Sequence, residues 1–168
     1  MAVSGDPSRR EEAALLNPEL DPQLAERLWH VLSRLAVAGA HQIWLIGSQV
    51  SGYKPNSDVD LLVIGPARLR EALAAKRRPN GWRRNFDILV NVAGERTFEE
   101  PWPRSDGGRR RKSGDLDRWK WRQLSPTSAE YLAAPSVGET DAPTIGMHPA
   151  ILVFSEDDDA ELRPTEVS

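Results

Sequence analysis

The chain has 168 residues, 39% hydrophobic and 28% charged, with a formal net charge of -3, which suits one domain with a real core. No run approaches the roughly 20 apolar residues of a membrane-spanning helix, and the N-terminus lacks the apolar centre of a signal peptide. Cysteine is absent, which excludes a disulfide framework and a thiolate zinc site, and the whole pattern fits a cytoplasmic protein.

Residues 1–20 read as a flexible leader with a short helical piece around Glu11 to Leu16. Asp21 is placed to cap a helix and Pro22 to open it. Leu24, Leu28, Val31, Leu32 and Leu35 then recur at helical spacing, and Gly39 is a C-terminal stop. This helix is expected to cover one face of a sheet. Strands follow near 42–46, 59–64 and 86–92. Gly65-Pro66 ends the second, and a helix near 67–76 turns Leu69, Ala72 and Leu73 inward with a basic outer side. Pro79-Asn80-Gly81 turns the chain toward the third strand.

Beyond residue 93 the pattern weakens. Pro101 to Ser113, rich in Pro, Gly and Arg, reads as a loop. Trp119-Lys120-Trp121-Arg122 alternates aromatic and cation. It supports two readings, a stacking platform for bases or two tryptophans packing the segment onto the domain, of which packing is preferred. Thr127 and Glu130 have capping-box spacing, predicting a short helix to Ala134. Ala150 to Phe154 reads as an edge strand, and 155–168 as a flexible acidic tail. The domain is therefore bounded at 21–154, with a motif core at 41–92. His30, His41 and His148 are isolated and read as structural or exposed rather than as ligands.

Charge is segregated along the chain. Residues 68–84 carry seven basic residues against one acid, 104–122 carry eight against three, and 156–168 carry six acids against one arginine. Basic patches attract phosphate-rich partners, and the alternative is a solvated face with a loose loop. Arg109, Arg110, Arg111 and Lys112 are the candidates for contact with a polyanionic acceptor.

The chemistry concentrates in three apolar runs. The first, Ile43-Trp44-Leu45-Ile46, ends in Gly47-Ser48. The second begins Asp58-Val59-Asp60-Leu61, and the third is Phe86-Asp87-Ile88-Leu89-Val90. Alternate residues of a strand share a face, so Asp58 and Asp60 point the same way, and a neighbouring strand can bring Asp87 alongside. Carboxylates so placed repel unless a cation lies between them. Mg²⁺ suits hard oxygen ligands and substrate phosphates, and three carboxylates can hold two ions in an in-line displacement. A glycine turn opening a helix lets backbone approach phosphate oxygens, with the Ser48 hydroxyl beside it and Lys54 as a neighbouring cation.

Gly47-Ser48, Ser57-Asp58-Val59-Asp60-Leu61 and Asp87 together resemble the nucleotidyltransferase superfamily that includes DNA polymerase beta. The likeness is greatest to its stand-alone minimal nucleotidyltransferase branch, and it covers roughly residues 24–92. The chain departs from that branch at Val50-Ser51-Gly52, where many members have Ala-Arg-Gly. The resemblance implies an α/β fold, a small mixed sheet flanked by helices of the polymerase-beta-like type. It implies that Asp58 and Asp60 hold both Mg²⁺ ions, and that Asp87 ligates one and helps activate the acceptor hydroxyl. Gly47, Ser48, Ser57 and Lys54 form the nucleotide-binding set. The implied reaction moves a nucleoside monophosphate from a triphosphate, ATP first among them, to a hydroxyl of a protein or RNA acceptor. Minimal members commonly modify a helical toxin as antitoxins. The alternative is a binding module of the same fold that holds nucleotide or RNA, or neutralises a partner, without turnover.

Overall fold

The structure is a computed structural model and describes residues 20–79, 82, 85–102, 112–132 and 147–156. All of the expected leader except Leu20, which is buried in the helix-facing core, most of the 101–113 loop including Arg109, Arg110 and Arg111, and all but the first two residues of the acidic tail lie outside the described residues.

The elements run α1 (Pro22–Ala38), β1 (Gln42–Ile46), a single 3₁₀ turn (Ser48–Val50), β2 (Val59–Gly65), α2 (Ala67–Ala74), β3 (Phe86–Val92), β4 (Thr97–Glu99), β5 (Ser113–Asp115), β6 (Arg122–Ser125), β7 (Ser128–Tyr131) and β8 (His148–Ser155). All eight strands form one sheet in the order β5-β4-β3-β2-β1-β8-β7-β6. β2 and β3 pair in parallel, joined by the crossover through α2, and every other neighbouring pair is antiparallel.

The first half follows local rules. The Asp21 carboxylate accepts from the backbone N–H of Gln23 (2.8 Å) and Leu24 (3.4 Å), closing the start of α1. Gly39 ends it in the left-handed region at φ 115°, donating its N–H to Ala36 and Leu35. The buried stripe Leu24, Leu28, Val31, Leu32 and Leu35 packs with Ile43, Leu45, Leu61, Val63, Ile88 and Val90, the helix-facing side chains of the three central strands. α2 buries Leu69 and packs Leu73 against the same core, but Ala72, expected inward, is exposed.

The expectation of a small sheet flanked by helices, of the polymerase-beta-like type, is overturned. The described residues hold an eight-stranded, mostly antiparallel sheet with only two α-helices, of 17 and 8 residues. The face turned away from the helices is covered by an aromatic cluster from its own outer strands and turns. Trp44, Leu62, Leu89, Phe98, Leu116, Tyr131 and Leu152 are buried there, with Trp119 and Trp121 packed over them. The rings meet edge to face at Trp44–Trp121 (5.3 Å between centroids) and stack at Trp119–Tyr131 (4.8 Å). The tryptophans at 119 and 121 thus pack the segment onto the domain.

Two local expectations fail for a stated reason. Thr127 to Glu130 lies in a hairpin rather than a helix. Ser125 Oγ accepts from the Thr127 N–H (3.2 Å) and lies 2.6 Å from Ser128 Oγ, so side-chain oxygens close a tight turn instead of capping a helix. The 150–154 run is no edge either, because β8 lies between β1 and β7. Among the described residues no helix is long and apolar enough to cross a membrane.

The new strands can be tested at Gly114. Its Cβ position lies 2.4 Å from the ring of Phe98, buried one strand away in the register Phe98–Gly114. Gly114→Val is expected to destabilise by roughly 1–3 kcal/mol, the usual cost of overpacking, while Ser113→Val, at an exposed position, changes little. Urea denaturation of both variants checks this. Equal stability would remove β5 from the sheet.

Candidate active site

The centre of the site is built where β1 stops. Gly47 turns the chain at φ 80°, ψ -161°, a conformation open essentially to glycine. A Cβ there would also lie 2.3 Å from Asp60 Oδ2. The carboxyl of Asp60 therefore rests against bare backbone. The Gly47 N–H donates to the Tyr131 hydroxyl oxygen at 2.9 Å, a bond spanning 84 residues. The expected helix start after Gly47-Ser48 is one 3₁₀ turn, Ser48–Val50. Gly47 thus serves first to admit Asp60.

Buried Gln49 organises the connection that follows. Its Nε2 donates to the carbonyls of Lys54 (2.7 Å) and Ser57 (3.1 Å), and its Oε1 accepts from the Lys54 N–H (2.8 Å). Arg27, from α1, donates both terminal nitrogens to the Ser57 carbonyl at 3.3 Å. Lys54 and Ser57 contribute backbone atoms to this clamp, and neither lines the cleft described next.

Alternation along β2 puts Val59, Leu61 and Val63 into the helix-facing core and turns Asp60 to the aromatic face. Parallel pairing sets Asp60 directly beside Asp87, in a register that also aligns Leu61 with Ile88 and Leu62 with Leu89. Burial, then the charge of Asp87 and hydrogen bonding to its side chain, push Asp60 up to about 7, so below neutrality it carries a proton that the adjacent pair can share. Lys112 opposes the shift, its Nζ lying 3.0 Å from Asp87 Oδ2, and Arg78 stands 3.9 Å from Asp87 Oδ1. Burial also pushes the Tyr131 hydroxyl up, partly offset by the Gly47 N–H, with the Asp60 charge adding to it.

A cleft of about 480 Å³ opens over the pair. Gly47, Ser48 and Ser51 line it together with Lys112, Trp119, Tyr131, His148 and both acids. Of the residues expected to form the site, Gly47, Ser48, Asp60 and Asp87 converge here. Asp58 is exposed one residue ahead of β2, does not line the cleft, and exerts the weakest of the charge influences on Asp60. Tyr131 carries no motif, and Trp119 stands out only within the alternating Trp119-Lys120-Trp121-Arg122 segment; the folded sheet brings both to the Gly47 turn. His148, expected to be structural or exposed, is exposed at the rim and packs on Tyr131, with 5.6 Å between ring centroids. Lys112 was legible only as part of a basic run.

Among the described residues no three His, Asp or Glu side chains stand together as a metal-holding group. Two adjacent carboxyl groups that share a proton nevertheless fit one hard cation, which takes one or two carboxylates and completes its shell with water and phosphate oxygens. Asp60 and Asp87 would hold it. Comparison of the chain with family models, with curated proteins and with solved structures finds no match.

The raised Asp60 has a definite sign in stability. Between its ordinary value of 3.8 and about 7, the folded state holds a proton that the unfolded state has lost. Raising the pH through that window therefore costs stability, and the loss levels off above it. Asp60→Asn removes the charge and keeps the shape. With chelator present, the melting temperature of Asp60→Asn minus that of wild type is expected to grow from pH 5 to pH 8 and then flatten. A difference independent of pH would show that the carboxyls do not share a proton.

Proposed function

We propose that the cleft over Asp60 and Asp87 is a Mg²⁺-dependent nucleotidyl-transfer site of a cytoplasmic protein, moving a nucleoside monophosphate from a triphosphate to a hydroxyl. The observation that carries this reading is the in-register carboxyl pair, with Asp60 against the Gly47 turn, lining a cleft of about 480 Å³. That volume is in the range of small-molecule sites. The spacing Gly47-Ser48, Asp58-Val59-Asp60 and Asp87, with its resemblance to minimal nucleotidyltransferases, supports the same chemistry.

Bound Mg²⁺ supplies positive charge for the phosphoryl oxygens and lowers the cost of deprotonating the acceptor hydroxyl. The chain's own residues do the placing. Asp60 and Asp87 give up their shared proton to present two carboxylates on one side of the cleft. Tyr131 holds the Gly47 backbone against Asp60, and Ser48, which lines the cleft, would offer its hydroxyl to phosphate. The aromatic wall keeps one side of the site dry, which strengthens each charge interaction. Asp58 lies outside the cleft, so among the described residues the second Mg²⁺ implied by the resemblance has no carboxylate of its own there. A protein acceptor, a helical toxin among them, or an RNA rests on the resemblance alone.

A second reading is favoured by one observation. Lys112 Nζ lies 3.0 Å from Asp87 while burial and Asp87 push Asp60 up to about 7, so an ammonium and a proton offset the pair's charge without a cation, which suits a nucleotide-binding module that lacks turnover. The two readings separate in one experiment. The protein is incubated with each α-labelled nucleoside triphosphate, Mg²⁺ and fractionated cell extract, while label transfer and pyrophosphate are measured. Transfer that falls about 100-fold or more in Asp60→Asn and Asp87→Asn, the scale of losing a charge-stabilising group, supports the enzyme. Nucleotide binding without pyrophosphate release supports the module, and no binding of any triphosphate overturns both.

A further inference from the structure

The cleft contains one cation whose position follows from neither the motif nor the resemblance. Among the described residues Lys112 is the lysine or arginine that lines it. We propose that Lys112 is the residue that contacts the phosphates of the bound nucleotide, an inference that rests on the cleft being the transfer site proposed above.

The root of the side chain is fixed. Lys112 donates its backbone N–H to Glu100 Oε2 (3.2 Å), and its carbonyl accepts from the Glu100 N–H (2.9 Å). β5 starts at the next residue and is itself paired to β4, so the backbone at Lys112 is held by the sheet. The tip is half exposed, at 52%, and its ammonium rests 3.0 Å from Asp87 Oδ2.

The second cation near Asp87 is built differently. Arg78 donates to the carbonyls of Trp82 and Phe86, and its guanidinium lies 5.5 Å over the Trp102 ring. It does not line the cleft, so it holds Asp87 from behind. Lys54, the cation expected to serve phosphate, lies outside the cleft as well.

Charge balance then assigns the role. In the free protein Lys112 compensates Asp87. A divalent cation on the carboxyl pair takes over that compensation and repels the ammonium. Lys112 is left half exposed in the cleft with an unpaired positive charge, and the phosphates of a nucleotide are the anions that arrive with the cation. A lysine on a flexible stem suits this exchange, because it acts as a point charge with rotatable donors.

The test uses the full chain, Mn²⁺ as the cation, and ATP and adenosine as probes. Free Mn²⁺ is followed by electron paramagnetic resonance and nucleotide binding by calorimetry. In Lys112→Met, Mn²⁺ is expected to bind several-fold tighter, because a competing charge is gone. ATP with Mn²⁺ is expected to bind about 10-fold weaker, the scale of one charge-assisted hydrogen bond. Adenosine affinity stays unchanged, and Lys112→Arg restores most of the ATP affinity. If wild type binds Mn²⁺ and ATP, and Lys112→Met binds ATP equally well, the Lys112 assignment is overturned and the cleft reading stands. If wild type binds neither, both fall.

Discussion

The in-register parallel pairing of β2 with β3 is the constraint on which the rest of the structure depends. It sets Asp60 beside Asp87 and, one residue on, Leu61 beside Ile88. Because side chains alternate, a single register serves both faces. A slip of one residue in β2 would turn Leu61 and Val63 out of the helix-facing core toward the aromatic face and put Asp60 under α1. The helix-facing core therefore enforces the carboxyl pair: the free energy of burying Leu61, Val63, Ile88 and Val90 holds two like-charged groups together against their repulsion.

That repulsion is not left unanswered. A shared proton, the ammonium of Lys112 and the guanidinium of Arg78 each reduce it, from different directions. The proton can be lost and Lys112 can swing away, whereas Arg78 is locked by backbone carbonyls and a tryptophan ring. Two of the three compensations are thus reversible. On the function proposed above, these two reversible charges are the ones a bound cation would replace.

The aromatic cluster has a comparable double role. On one side it is the second hydrophobic core, burying Trp44, Phe98 and Tyr131 where no helix covers the sheet. On the other, the Tyr131 hydroxyl oxygen takes the Gly47 N–H, and Trp119 walls the cleft. Stability of the outer strands and geometry of the Gly47 turn are coupled through this one side chain. Gly47 itself answers to both demands, since its positive φ and the contact with Asp60 each exclude a side chain.

The amino-acid sequence by itself determined the elements that obey short-range rules. α1 is legible because Asp21, Pro22 and Gly39 bracket a regular apolar stripe, and β1, β2 and β3 because their apolar runs are five to seven residues long and bounded by turn residues. The order Gly47-Ser48, Asp60, Asp87 was legible for the same reason, since each lies on or beside one of those runs. Tertiary structure alone decided the rest. β4 to β7 are strands of three or four residues, too short for a periodic pattern, and they exist because the aromatic face needed a cover. The serines and threonine at 125–128 suit a turn as well as a cap, and only pairing with β8 selected the hairpin. Lys112 and Tyr131 joined the site through sheet order, which brings residues 25 and 84 positions away in the chain to the same carboxyl pair and glycine turn. No local signal encodes such an encounter, because its free energy resides in contacts that form only when the whole sheet is assembled.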